Sequence, residues 1–177
     1  MSWTNSAIFR EAIKNPLTAS ASGTSNVTLP TGYSATGGIT ADTVNVALFL
    51  TGATPDKTAA VGSTGYNTGT WTTTNEAPGT GNYTQGGTAI GTTTYTLDTG
   101  SSSMIYHAAN TSWTSATISS VFGDLVYDTS ISAGTVSKQG YCFNYFGGSQ
   151  SVTSGTFTIQ WATPAGAGAT AVFNISV

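Results

Sequence analysis

The sequence predicts an all-β protein, an antiparallel β-sandwich or jelly-roll-like domain with a short N-terminal helical arm. Two observations carry this prediction. Apolar residues recur at every second position in several short runs, which is the period of a strand with one buried face. Stretches rich in glycine and serine separate these runs at short intervals, as is typical of sandwiches and barrels. We therefore expect roughly seven to nine strands in one β-sandwich domain that spans residues 24–177.

One segment near the N-terminus has the spacing of a helix. Thr4 or Asn5 can cap it, and Asn15-Pro16 ends it. Its apolar residues are Ile8, Phe9, Ala12 and Ile13. The small residues that follow, Leu17 to Gly23, predict a flexible connection. We expect residues 1–23 to form a helix and flexible arm outside the core.

The first strong strand prediction is Val44–Leu50, in which every second residue is a large apolar one on a single face. The stretch from Ala53 to Gly81 contains prolines and several glycines, so it predicts a loop with room for one short strand at Thr70–Thr74. A connection of this length is usually functional or contacts a partner. We expect the loop and the helical arm to order against neighbouring subunits.

The second half of the chain predicts strand after strand. Turns such as Gly147-Gly148-Ser149 and the loop from Pro164 to Gly168 separate the strands. Apolar Phe157 and Ile159 alternate with threonines, which predicts one apolar face and one hydroxylated face. The predicted strands are Thr92–Leu97, Ser103–His107, Ala116–Val121, Gly123–Asp128, Val136–Phe146, Thr156–Ala162 and Thr170–Val177.

Charge is scarce throughout the chain. Lys and Arg number 4, Asp and Glu number 7, and the charged fraction is 6%, against roughly 25% in ordinary soluble proteins. No basic cluster is present to neutralise phosphates, so we expect no nucleic-acid partner. No window approaches the ~18 apolar residues that span a bilayer, so we expect no membrane partner. The N-terminal residues lack the pattern of a secretory signal, which predicts a cytosolic site of synthesis.

The titratable residues form no convincing catalytic, metal or cofactor pattern. Cys142, the single cysteine, lies in an alternating run and is interpreted as a buried, inert thiol. His107 has no neighbouring histidine or cysteine with which to share a metal. Asp124 and Asp128 would lie about 13 Å apart along one strand at ~3.3 Å per residue, which exceeds the spacing of glycosidase carboxylates. We interpret this pair as flanking turns, and we expect no enzyme activity, metal or cofactor.

Candidate partner contacts come from the arm and the long loop. Trp71 lies in a wholly polar neighbourhood, where an indole could contact a sugar ring or a partner protein, or could instead plug the edge of the sandwich. We select Phe9, Arg10, Tyr66 and Trp71 as the candidate contacts.

A series of short motifs resembles small structural proteins of tailed bacteriophages, in order and over most of the chain. The motifs are Phe9–Ile13, Asp42–Leu48, Gly81–Gly87, Ser112–Thr114, Gly123–Asp128, Tyr145–Gly148 and Gly155–Trp161.

The resemblance implies a structural role in the virion and no catalytic residues. Many small all-β proteins of such phages are capsid decoration (cement) proteins. The implied protein is a homo-oligomer, with a trimer favoured, that binds the major capsid protein on the outer capsid surface after synthesis in the host cytoplasm. The alternative is a tail, baseplate or head-fibre component that binds host surface glycans.

Overall fold

The computed structural model describes residues 3–10, 12, 21–22, 26–27, 42–98, 103–131, 136–162 and 171–176. These residues are mostly in antiparallel strands, so the predicted all-β class is confirmed. The strands are β1 (Ala7–Ile8), β2 (Ala21–Ser22), β3 (Asn26–Val27), β4 (Val44–Leu50), β5 (Thr88–Ala89), β6 (Thr94–Asp98), β7 (Ser103–His107), β8 (Thr111–Asp128), β9 (Gly140–Ile159) and β10 (Ala171–Ser176).

Within the described residues, the strands form two principal sheets. The larger sheet has the order β1-β9-β8-β4-β5, and the smaller has the order β10-β7-β6. Strands β2 and β3 pair separately. Side chains from the two principal sheets meet in one cluster, which we call the inter-sheet core. Its larger members include Val46, Leu48, Tyr106, Trp113, Ile118, Val126, Trp161 and Val172.

The other face of the larger sheet is also covered, and this was not predicted. In β4, Val46 and Leu48 enter the inter-sheet core, whereas Ala47 and Phe49 point to the opposite side and are equally buried. The second cluster, which we call the aromatic core, consists of Trp3, Phe9, Ala47, Phe49, Ala53, Tyr66, Trp71, Leu125, Tyr127 and Phe143. The larger sheet is therefore the middle layer of the fold, where strands are apolar on both faces.

The long loop supplies much of this cover. Residues 51–87 contain turns, a short 3-10 helix at Val61–Ser63 and no strand at Thr70–Thr74. The loop returns to β4, where the backbone of Ala77 donates to the carbonyl of Leu48 (2.9 Å). The length of the loop therefore serves an internal packing function, because its side chains complete a core.

The predicted helical arm is wrong for its first part. Ala7 and Ile8 form β1 and pair with Phe143 and Cys142 at the edge of β9. Ile8 packs against the inter-sheet core, while Phe9 is fully buried in the aromatic core. A strand that contributes to two cores needs adjacent apolar residues, and the same adjacency resembles a helical stripe in sequence. Arg10 and Ala12 are helical. The flexible connection predicted for Leu17 to Gly23 is wrong at Ala21–Ser22, which form β2, and residues 11, 13–20 and 23 lie outside the described part.

Strands β8 and β9 form one long antiparallel hairpin, not the several short strands predicted. The predicted turn at Gly147-Gly148-Ser149 lies inside β9. The strand continues through this segment because the two glycines bend the backbone locally and shift its register against β8 without ending the pairing. Gly147 has a φ of +78°, and the β8–β9 register shifts at four places before the strands realign near Gly123.

The hairpin divides into two halves with different surroundings. The covered half, residues 121–128 and 140–146, lies between the two cores. The open half, residues 111–120 and 147–159, has an inner face toward the inter-sheet core and an outer face that is exposed.

Candidate functional site

The four predicted contact residues do not form an exposed patch. Phe9, Trp71 and Tyr66 are 0%, 1% and 6% exposed, and only Arg10 is exposed. Trp71 packs edge-on against Phe49 and Phe9, with ring centroids 5.1 and 5.8 Å apart. The expectation that these aromatic rings face a partner is corrected, because the polar neighbourhood of Trp71 in sequence is folded over an apolar sheet face. Of the two interpretations of Trp71, the one in which it plugs the sandwich is closer to the structure.

A buried carboxylate fixes the long loop of residues 51–87, which we call the covering loop, in place. Glu76 is 1% exposed, and three donors bind it: the Tyr66 hydroxyl (2.7 Å), the Tyr83 hydroxyl (2.8 Å) and the backbone of Gly86 (2.6 Å). Burial raises the pKa of Glu76, and these hydrogen bonds partly offset that effect. The Tyr83 hydroxyl also accepts from the backbone of Leu48 (2.9 Å), which joins the loop to β4. This network is structural, because every group in it is used in holding the loop.

A cleft of about 740 Å³ opens between β1, the middle and end of β9, and the start of β10. Tyr145, Phe146 and Trp161 line it together with Asn144 and Gln160. This volume lies within the range of small-ligand sites.

Asp124 also lines this cleft and is fully buried. Its Oδ1 accepts from the Asn144 amide (2.8 Å), whereas Oδ2 has no hydrogen-bond partner among the described residues. Burial raises the pKa of Asp124 to about 7. The side chain of Cys142 borders the same cleft and is buried as predicted, and burial raises the pKa of its thiol well above the usual value.

The two aspartates of β8 have separate environments. Asp124 lies in the middle of the strand, so the expectation that it flanks a turn is wrong. Asp128 ends the strand, where it accepts from the Tyr141 hydroxyl (2.6 Å) and the backbone of Ser130 (2.7 Å). In the part of the chain that the structure describes, no three His, Cys, Asp or Glu residues are grouped so as to hold a metal ion.

The outer face of the open half is a regular exposed surface. Its side chains are almost all hydroxyls, and we call it the hydroxyl face; it consists of Ser112, Thr114, Thr117, Ser119, Ser151, Thr153, Thr156 and Thr158. Ser112 and Thr158 bond across the strands (2.8 Å). The alternation of threonines with Phe157 and Ile159 predicted such a face, and the prediction is confirmed here. No Lys, Arg, Asp or Glu occurs in residues 99–123 or after Lys138, so the face carries no charge.

No protein-family model, curated protein or solved structure matches this chain. The resemblance to phage structural proteins therefore stays a prediction. Within the described ranges, the chain contains no helix of the length and apolar character that crossing a membrane requires.

Proposed function

We propose that this chain is a structural protein of a tailed-phage virion and acts as a capsid decoration protein that binds the major capsid protein. The observation that carries the proposal is the uncharged hydroxyl face on the open half of the hairpin. A protein that adds to a repeating lattice makes the same modest contact many times, so each contact can be weak. Hydroxyls on a rigid sheet provide such contacts at low conformational cost, because Ser and Thr have short side chains.

The distribution of charge supports a binding role. Glu76, Asp124 and Asp128 are buried, so three of the seven acids contribute no exposed side chain. Copies with so little surface charge approach one another and a shell without strong mutual repulsion. The proposed place is the outer capsid surface, reached after synthesis in the host cytoplasm.

The test is binding of the purified chain to expanded capsids that lack it, measured by co-sedimentation, together with the heat resistance of the shell. We expect saturable binding and a more heat-resistant capsid. Thr156→Asp places a charge on the hydroxyl face and is expected to weaken binding about tenfold. Thr73→Asp is the matched control, because Thr73 is equally exposed but lies on the covering loop. Failure of the unmodified chain to bind, or equal loss in both variants, would contradict the proposal.

The 740 Å³ cleft favours a second candidate function, glycan binding by a tail, baseplate or head-fibre component. Its partly exposed aromatic residues, Tyr145 and Phe146, offer faces on which a sugar ring can stack, and Asn144 and Gln160 offer amides for its hydroxyls. This cleft replaces Trp71 as the place where sugar binding is expected. A glycan array with the unmodified chain and with Gln160→Ala separates this function from capsid binding.

A further inference from the structure

The outer edge of β9 changes along its length. In the covered half, β1 pairs with Phe143 and Cys142, and the Ser6 hydroxyl accepts from the backbone of Tyr145 (2.8 Å). Beyond this point, among the described residues, no strand pairs with the outer edge of β9 from 147 to 158. Backbone donors and acceptors at such an edge are ready to pair with another strand.

The inner side of this edge is an incomplete core. Phe146, Val152 and Phe157 pack against the inter-sheet core but are only half-buried. The rings of Phe146 and Phe157 lie 6.2 Å apart beside a small cleft of about 270 Å³. An added strand would cover these apolar side chains and complete the layer.

Protection against self-association is weak along the edge. Proteins protect exposed edges with lysine, proline, a charged inward residue or a β-bulge, and of these devices residues 147–158 have only the local irregularities of the backbone. Residues 147–158 contain no charged residue and no proline, and their irregularities include a positive φ of +49° at Ser154. A charged partner would find no opposite charge on this edge. The same edge of a second copy meets no electrostatic repulsion, because neither edge carries a charge.

We infer that two copies of this chain pair through residues 147–158 of β9, antiparallel and about a two-fold axis. A two-fold axis perpendicular to the sheet places a strand antiparallel to its own copy, which is the orientation that joins two such edges into one sheet. The half-buried Phe146, Val152 and Phe157 of each copy then lie beside those of the other. The two hydroxyl faces become one continuous surface. This inference does not depend on the proposed function, because pairing needs only this chain.

The test is sedimentation equilibrium of the purified full chain over a range up to about 1 mM, with hydrogen exchange at low and high concentration. We expect a monomer–dimer equilibrium, and slower exchange of the amides of residues 147–158 in the dimer. Thr153→Lys places like charges on adjoining strands and is expected to weaken the dimer at least about tenfold. Ser119→Lys adds the same charge to the same face, one strand away from the edge, and is expected to change dimerisation less than about twofold.

Thr153 and Ser119 are both exposed, so neither substitution disturbs the core, and equal melting temperatures of the variants verify this. A chain that stays monomeric, a trimer, or a dimer that Thr153→Lys leaves intact would overturn the inference. Capsid binding by a chain that stays monomeric would overturn the pairing and leave the proposed function standing.

Discussion

The two halves of the β8–β9 hairpin belong to the same strands but have opposite surroundings. In the covered half, Leu125, Tyr127 and Phe143 face the aromatic core on the side where the open half presents Ser112, Thr117 and Thr158. The difference follows from what lies over each half. The aromatic side chains of the covering loop and of the N-terminal segment lie over the outer face of the covered half. The loop also contacts the open half, where the Thr80 hydroxyl donates to the carbonyl of Thr117 and the Asn82 amide donates to Thr114 (3.1 Å), but the outer face there consists of hydroxylated residues. The fold thus gives one pair of strands a half that is buried on both faces and a half that is exposed on one face.

The largest expected effect on stability comes from removing an aromatic side chain of the covering loop. Trp71→Ala is expected to lower the free energy of unfolding by about 3–5 kcal/mol, because Trp71 is buried against four aromatic rings. Phe157→Ala, in the open half, is expected to cost about 1–2 kcal/mol because its ring is half-exposed. Urea unfolding measures both values. Equal costs would show that the two halves do not differ in packing as described.

Buried Asp124, in the covered half, predicts that the stability of the chain depends on pH. The pKa of Asp124 rises from 3.8 to about 7 on folding, so the folded chain keeps a proton that the unfolded chain loses. Stability therefore falls as pH rises from about 4 to about 7, by about 2–4 kcal/mol, and is constant above that range. Asp124→Asn is expected to remove this loss and to be the more stable protein at pH 8, since the amide keeps an oxygen for Asn144.

Two further acids contribute slopes of the same sign. Burial and the Asp128 carboxylate raise the pKa of Asp42 to about 6, and burial raises the pKa of Glu76, so some loss of stability with rising pH persists in Asp124→Asn. Thermal unfolding of both proteins from pH 4 to pH 8 separates the contribution of Asp124 from that of the other two acids. An unchanged pH profile in Asp124→Asn would contradict the assignment.

The attachment of the covering loop depends on a glycine. Gly87 has a φ of +64°, and a Cβ added there would overlap the backbone of Val46 in β4. Gly87→Ala is expected to destabilise the chain by about 1–3 kcal/mol through strain and loss of this close approach. Gly62→Ala is the control, because Gly62 has no neighbouring atom within 4 Å of such a Cβ. Chemical denaturation compares the two variants, and similar denaturation midpoints would show that Gly87 does not lie tightly against the backbone of Val46.

The smallest expected effect on stability lies on the hydroxyl face. Thr158→Ala removes an exposed hydrogen bond to Ser112, and water replaces it, so the free energy of unfolding should change by less than about 0.5 kcal/mol. Thr156→Ala should behave alike. Calorimetric melting tests this, and a loss above about 1 kcal/mol would mean that the face is part of the stabilising structure.

Local patterns were sufficient for some elements and misleading for others. The alternation in Val44–Leu50 and Ser103–His107 predicted β4 and β7 with their correct bounds. The glycines of residues 147–148 predicted a turn, yet β9 continues through them because β8 pairs on both sides of that point. The apolar pair Ile8 and Phe9 predicted a helical stripe, although each residue serves a different core.

The candidate site divides in the same way. The sequence predicted an uncharged, hydroxylated face, since alternation places Thr156 and Thr158 on one side of a strand regardless of what surrounds it. It could not predict that Phe9, Tyr66 and Trp71 are buried together, because they are separated in sequence and meet only when the loop folds over the sheet. The cleft and its Asp124 likewise arise from residues of four strands.

The sequence by itself determined the all-β class, the near absence of charge and the two-residue period of the strands. These properties follow from composition and from neighbours along the chain. Only the tertiary structure decided which strand faces are covered, that the long loop is part of the core, and which edge has no partner strand among the described residues. Burial is set by contacts between segments distant in sequence, and local pattern cannot say which segment will lie over a given face.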